Sequence, residues 1–213
     1  RCHYSAVQNW NSRTVSYLTS RARLDQDARL DTVFTTVGGA KVKVDAGAIL
    51  AGKGAESNMY GLAIGDRAQH FDHHTVHLHE SGHTRSDLHF KVALRDRANS
   101  VYTGLIRIDE RADYCEAYQE NRNLVLSPEA KAESIPELEI MNNEVRCTHG
   151  ATVGKIDPQE IFYLMSRGIG KDDAVHLIVA GFVAPILDQV PPVMRDRIEN
   201  IVLARLEGRE QHG

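Results

Sequence analysis

The chain has 213 residues, 42% of them hydrophobic and 25% charged, a composition ordinary for a globular protein and sufficient for one sizeable core or two small ones. A formal net charge of -4 and a pI near 6.3, with no basic stripe, exclude a role that rests on broad attraction to nucleic-acid phosphate. No run of about 18 apolar residues and no apolar secretory core are found, so a cytoplasmic chain without membrane span or signal peptide is expected.

Arg1 stands where a start methionine would, and Arg1-Cys2-His3-Tyr4 reads like the middle of a strand, so an upstream portion is expected to be missing. Through residues 1–153, short β-rich runs such as 31–37, 41–44, 91–94 and 123–126 alternate with small turn groups. A faint repeat relates Gly61-Leu62-Ala63-Ile64-Gly65-Asp66-Arg67-Ala68 to Gly104-Leu105-Ile106-Arg107-Ile108-Asp109-Glu110-Arg111-Ala112. The turn markers Asp66, Asp96, Glu110 and Pro128 recur at spacings of roughly 15 and 30 residues. Such spacings predict a stack of β-coils, each rung adding about 4.8 Å and burying its apolar face only against its neighbours. A β-sandwich would give similar turns.

The pattern changes over residues 154–213. Asp157 is suited to an N-cap, Pro158 to a first helical turn and Gly168 to a stop, which predicts a helix over 158–167. A second helix begins near Lys171-Asp172-Asp173 and should stop or bend at Pro185. A third follows Pro191-Pro192, with Met194, Ile198, Ile201, Val202 and Leu206 on one apolar face. The tail from Gly208 is polar and expected to fray. Together these elements predict a β-coil region at 1–153 and a small helical lobe at 154–213 that closes the end of the stack.

Two clusters carry candidate chemistry. Seven of the 11 histidines fall between positions 70 and 89. In an extended segment His73, His77, His79 and His83 share one parity, while His74 shares the other with Val76 and Leu78. Imidazoles on one face suit zinc, iron or copper; the plainer reading is a hydrogen-bonded outer face of a sheet or a subunit contact. His77-Leu78-His79 has the His-x-His form of cupin metal sites, but Glu80 is adjacent rather than a few residues on.

The second cluster is Cys147 and His149, two residues apart and therefore on one face of an extended segment, where they can share a metal or a sulfur species. Arg146 and His149 would both favour the Cys147 thiolate; the plainer reading is an inert buried thiol. Cys115, after Asp113-Tyr114, reads as core, and Cys2 says little. Three widely spaced cysteines without Cys-x-x-Cys fit reduced thiols rather than a disulfide framework or a closed zinc site. Asp72, Asp87 and Glu116 have no second carboxylate at a spacing that implies paired acid–base work, and no Gly-rich phosphate loop appears.

The motifs resemble the SufB/SufD family of iron–sulfur cluster assembly scaffolds, in order, over about residues 4 to 206. The resemblance is carried by Gln69-His70-Phe71-Asp72-His73-His74-Thr75, Ser100-Val101-Tyr102-Thr103-Gly104-Leu105-Ile106, Gln119-Glu120-Asn121-Arg122-Asn123-Leu124, Ser134-Ile135-Pro136-Glu137-Leu138-Glu139-Ile140 and Phe162-Tyr163-Leu164-Met165-Ser166-Arg167-Gly168. The stretch Cys147-Thr148-His149-Gly150-Ala151-Thr152 is similar to the SufD branch rather than to SufB.

The resemblance implies a mainly β chain, a right-handed parallel β-helix followed by a small C-terminal α-helical lobe. It implies a non-enzymatic scaffold that forms a SufB–SufD heterodimer through β-helix edges and works with the SufC ATPase, which docks on the helical lobes. A transient iron–sulfur cluster or iron would be shared with SufB at the interface, held by the histidine at His149 with Cys147 close by. A flavin on the complex is left open, and a homodimer is the other assembly considered. On this view His73, His77 and His79 belong to β-helix surface or partner contact, and the rival function is a stand-alone metalloenzyme that uses those three histidines on a β-scaffold.

Overall fold

Ten-residue segments that alternate inward and outward side chains dominate the chain; β8 (Asn99–Ile108), for example, buries every second residue from Ser100 to Ile108. That period of two is the signature of a strand with one face in a core. The computed structural model describes residues 1–206, and the polar tail expected from Gly208 lies outside the described residues. Eleven strands follow one another: β1 (Cys2–Gln8), β2 (Val15–Leu24), β3 (Arg29–Thr36), β4 (Lys41–Leu50), β5 (Glu56–Gly65), β6 (His70–His79), β7 (Arg85–Leu94), β8, β9 (Glu116–Val125), β10 (Lys131–Ile140) and β11 (Arg146–Lys155).

The chain changes sheet at every turn. Odd strands form one parallel sheet in the order β1-β3-β5-β7-β9-β11, and even strands a second in the order β10-β8-β6-β4-β2. The result is a β-solenoid of about five turns, each turn contributing one rung to each sheet. Register shows the repeat: Arg29 stands beside Glu56, Glu56 beside Arg85, and Arg85 beside Glu116, about 30 residues apart each time. Asp66 begins the corner after β5, Asp96 is the second residue of the corner after β7 and falls in register with Arg67, and Pro128 lies in the next corner of that row, after β9; Glu110 lies in the opposite row, after β8.

Corner chemistry keeps the coils in step. Asp27, Arg67, His83, Asp96 and Tyr114 adopt φ between 54° and 58°, the left-handed region that turns the chain sharply between sheets. His83 is thus an exposed corner residue and leaves the strand parity assigned to it from sequence. Between the sheets, Phe34, Val44, Met59, Phe71, Leu88, Phe90, Val92 and Tyr102 fill the lumen as one cluster. Gly61 is required there, because a Cβ at that position would collide with the Phe90 ring.

Three helices follow: α1 (Pro158–Ser166), α2 (Lys171–Leu187) and α3 (Pro192–Leu206). Asp157 caps α1 by accepting from the Gln159 N–H at 2.8 Å, and Gly168 at φ 87° ends that stretch. Pro185 does not stop α2, which runs on to Leu187. Proline in the last turn forfeits one hydrogen bond, and the N–H of Asp188 recloses the end on the Ala184 carbonyl at 2.9 Å.

The lobe does not close the end of the stack, as its sequence position suggests. Val179, Val183, Ile186, Ile198 and Val202 instead share a buried cluster with Val33, Leu62, Ile64 and Ala93, on the outer face of the odd sheet. Two polar fastenings hold it there. Lys91 Nζ donates to the Phe182 carbonyl at 2.7 Å and sits 4.9 Å from the Phe182 ring, and Arg205 donates to Asp66 and Gln69, each at 2.9 Å. No helix among the described residues is long and apolar enough to cross a membrane. The helices lie back over the outer face of the odd sheet, so among the described residues the last coil, β10 and β11, is left without a covering element.

Candidate functional site

Strand β6 points Phe71, His73, Thr75, His77 and His79 inward. The three histidines are at most 1% exposed and lie in the lumen, not on the outer face or subunit contact expected for them. Small hydroxyl side chains on the facing odd sheet and in the corner before β7 make this tolerable. His73 Nε2 pairs with Thr36 Oγ1 at 3.1 Å, His77 Nε2 with Ser57 Oγ at 3.0 Å, and His79 bonds Thr84 and Ser86 at 2.7 and 2.9 Å.

Desolvation penalises the charged imidazole, so burial pulls these groups down to about 4, 3 and 4 respectively, and they are neutral at pH 7. Among the described residues no group of three or more His, Cys, Asp or Glu side chains is placed to hold a metal ion. The metalloenzyme reading therefore lacks a donor set there.

Other members of the histidine cluster face outward. His74 bonds Asp72 at 2.9 Å, and Lys43 bonds the same carboxylate at 2.6 Å. His89 lies between Asp87 at 2.9 Å and Glu120 at 3.4 Å and stacks on Tyr60. The hydrogen bond to Asp87, followed by the charges of Asp87 and Glu120, raises the His89 pKa against the effect of burial. Sequence reading treated Asp87 as a solitary carboxylate. Its companion Glu120 stands one full coil away, beside His89 in register, and the coil period was the signal that would have joined them.

The last coil, like the first, is an edge of the stack. Strands β10 and β11 each have a hydrogen-bonded neighbour on one side only. Inward residues there lose their cover: Tyr102, Ile106 and Ile108 of β8 are fully buried, whereas Ile140 is 42% and Val153 55% exposed. A depression of about 520 Å³, lined in part by Val125, Ala132, Val153 and Lys155, opens at this end.

Cys147 and His149 stand on β11, beside Ala117 and Gln119 of β9. They share the parity that sequence spacing assigned to them, and that parity is the lumen-facing one. His149 is exposed, and Cys147 is half-buried against the cluster of Ile106, Ile108, Ala112, Cys115 and Ala117.

The thiol contradicts one sequence expectation. Burial pushes Cys147 up to about 11 rather than toward a thiolate. Arg146, the cation expected to help, projects outward toward Glu116 at 3.7 Å, with 87% of its side chain exposed. Cys147 is thus a protonated thiol at neutral pH, and coordination to iron must displace its proton. Cys115 is core as expected, in the corner before β9, with its Sγ 3.0 Å from Thr84 Oγ1. A further exposed apolar patch, on α1, comprises Phe162, Tyr163 and Met165 at 73, 57 and 47% exposure.

Comparisons with known proteins agree with this architecture. Residues 1–182 match the family described as SUF system FeS cluster assembly, SufBD core domain. An iron–sulfur cluster assembly protein SufB of Bacillus subtilis is 26% identical over 207 residues, 97% of this chain and 44% of that protein. Iron–sulfur cluster assembly SufBD family proteins of Mycobacterium leprae and Mycobacterium tuberculosis are each 32% identical, covering 90 and 94% of this chain and 51 and 53% of theirs. The chain spans about half the length of these relatives. Relatives named for SufB and for the undivided family both match, which fixes the family and leaves the branch open. A parallel solenoid whose core-domain match extends from residue 1 into α2 settles the assignment: the chain belongs to the SufBD core domain family of the SUF iron–sulfur assembly system.

Proposed function

We propose that this chain is a non-enzymatic scaffold subunit of SufD type on which an iron–sulfur cluster is assembled as cargo. Its partner is a SufB chain docked on the open last coil, so that the nascent cluster or iron lies between the two subunits. His149 serves as an interfacial ligand, and Cys147 as an accessory ligand for iron or sulfur. The SufC ATPase engages the helical lobe, for which the exposed Phe162, Tyr163 and Met165 of α1 offer an apolar footing. A cytoplasmic location accompanies this reading.

One observation carries the proposal: the cysteine and histidine stand side by side in parity on a strand that, among the described residues, has no neighbour on its outer side. Such an edge presents unpaired backbone groups to a second chain. The chemistry is suitable for temporary custody. Clusters usually take thiolates, and an imidazole in place of one gives a weaker, more oxidising site from which a cluster is more readily handed on.

The test is anaerobic reconstitution of the chain copurified with SufB and SufC. His149→Ala should cut the iron–sulfur absorbance per complex several-fold while light scattering reports an intact assembly. Unchanged cluster yield would overturn the ligand assignment, and a homodimer that ignores added SufB would overturn the pairing.

A further inference from the structure

A neutral imidazole offers one lone pair and one N–H, so a ligand histidine works well only if something fixes which nitrogen is which. In β9 the residue beside His149 is Gln119, on the same lumen-facing row and one rung away, about 4.8 Å along the stack. Gln119 is 1% exposed. Its amide crosses the lumen, with Nε2 donating to the Gly104 carbonyl of β8 at 3.1 Å. Glycine at 104 makes that crossing possible, since a Cβ there would collide with both the Gln119 amide and the Tyr102 hydroxyl. With Nε2 committed to β8 the amide cannot flip without losing that bond, and Oε1 is left fully buried without a protein partner. An acceptor stranded in this way is unfavourable, and a nearby donor would satisfy it.

We propose that the donor is His149 and that Gln119 is its positioning residue. One ring N–H of His149 bonds to Gln119 Oε1, which locks the tautomer and turns the unprotonated nitrogen toward the open end of the solenoid. Metal-binding histidines in general are held by a fixed acceptor on the far nitrogen, and loss of that acceptor commonly weakens metal binding about 10- to 100-fold. The consequence for iron rests on the ligand reading of His149; the hydrogen bond itself does not. Two other hydroxyls compete as donors. Ser134 of β10 is also buried and unpartnered, and Tyr102 pairs with Thr75 at 2.7 Å.

The experiment is ¹⁵N NMR of the full chain labelled at histidine, without metal. His149 should show two widely separated ring-nitrogen shifts, those of a single tautomer, together with a ring N–H that exchanges slowly with water. Gln119→Leu should draw the two shifts toward the average of a freely exchanging imidazole and abolish the slow N–H. Gln119→Glu keeps an acceptor oxygen in place and should retain both features, and Ser134→Ala should leave them untouched. Averaged shifts in the unaltered chain would overturn the proposal, as would a signature that survives Gln119→Leu or that disappears in Ser134→Ala. Should Gln119→Leu fail to fold by circular dichroism, the spectrum of the unaltered chain decides alone.

In the reconstituted complex, iron retention should fall about tenfold with Gln119→Leu and recover with Gln119→Glu. If His149→Ala leaves cluster yield intact while the NMR coupling to Gln119 persists, the ligand reading fails and the positioning contact stands; the reverse pattern sinks the contact alone.

Discussion

Strands β6 and β11 both turn histidines toward the lumen, yet they do opposite things with them. His77 has coils on either side, is 0% exposed and is held neutral by burial. His149 occupies the same kind of inward position in the last coil and is open to water because nothing among the described residues covers it. The difference lies in the stack and not in the strand. In a solenoid an inward side chain becomes core only when both neighbouring rungs are present, so the last rung is where an inward residue stays available for chemistry.

The sharpest way to break this contrast is to remove a large apolar side chain from each region. Phe90 is 1% exposed at the centre of the lumen cluster, so Phe90→Ala should cost about 3–5 kcal/mol through lost burial and an unfilled cavity. Leu138 of β10 is only partly buried at the end coil, and Leu138→Ala should cost distinctly less, about 1–2 kcal/mol. Urea midpoints of the two variants provide the check. Equal losses would mean that the last coil is as tightly packed as the middle.

Acid should expose the same contrast through protons. His73, His77 and His79 titrate near 4, 3 and 4 in the folded chain, against 6.5 when unfolded. Between those values the unfolded state binds the extra protons, so the stability is complete above pH 6.5 and is lost as pH falls toward 4. Each histidine contributes a slope of up to about 1.4 kcal/mol per pH unit, or about 4 for the three together. His77→Gln should remove about a third of that slope in urea titrations from pH 6.5 to 4. His89 acts with the opposite sign: its raised pKa gives stability that is present below the unfolded value and fades as pH rises through the folded one. It is partly exposed, and its contribution is the smaller. A slope unchanged by His77→Gln would contradict burial of a neutral ring.

A third comparison uses thiol reactivity. Exposed Cys2 should alkylate with iodoacetamide before half-buried Cys147, whose thiol burial holds up near 11, and buried Cys115 should react last. Mass spectrometry of timed digests reads the order. Cys147 reacting ahead of Cys2 would point to an activated thiolate and restore a role for Arg146.

Much of this arrangement could be read in the residues. The recurrence of turn groups at roughly 30 residues is one solenoid turn, Asp157-Pro158 starts the first helix, and the two-residue step from Cys147 to His149 gave their shared face correctly. What could not be read was which face of each strand is inside. Alternation gives two faces but does not name them, and a row of histidines looks like a wet surface until Thr36, Ser57 and Ser86 of the facing sheet are brought to meet it. The helical lobe was misplaced for a related reason. Its apolar face called for a partner, and the matching surface, Val33, Leu62 and Ala93, is spread over three rungs far apart in sequence. Pro185 misled because a rule for helix interiors does not bind in a last turn.

The smallest effect tells most about the last coil. His149 is exposed, so its side chain contributes little burial, and surface substitutions away from special features usually change stability by no more than about 0.5 kcal/mol. His149→Ala should therefore cost little beyond its one hydrogen bond to Gln119, about 0.5–1.5 kcal/mol by urea midpoint, in contrast to the several kcal/mol expected at Phe90. Should the midpoint fall by about 2 kcal/mol or more, His149 would be part of the packing and the open-end geometry would be wrong. A small change in stability joined to a several-fold loss of cluster in the complex is the combination that separates a residue kept for chemistry from one kept for the fold, because packing cannot lose the one without the other.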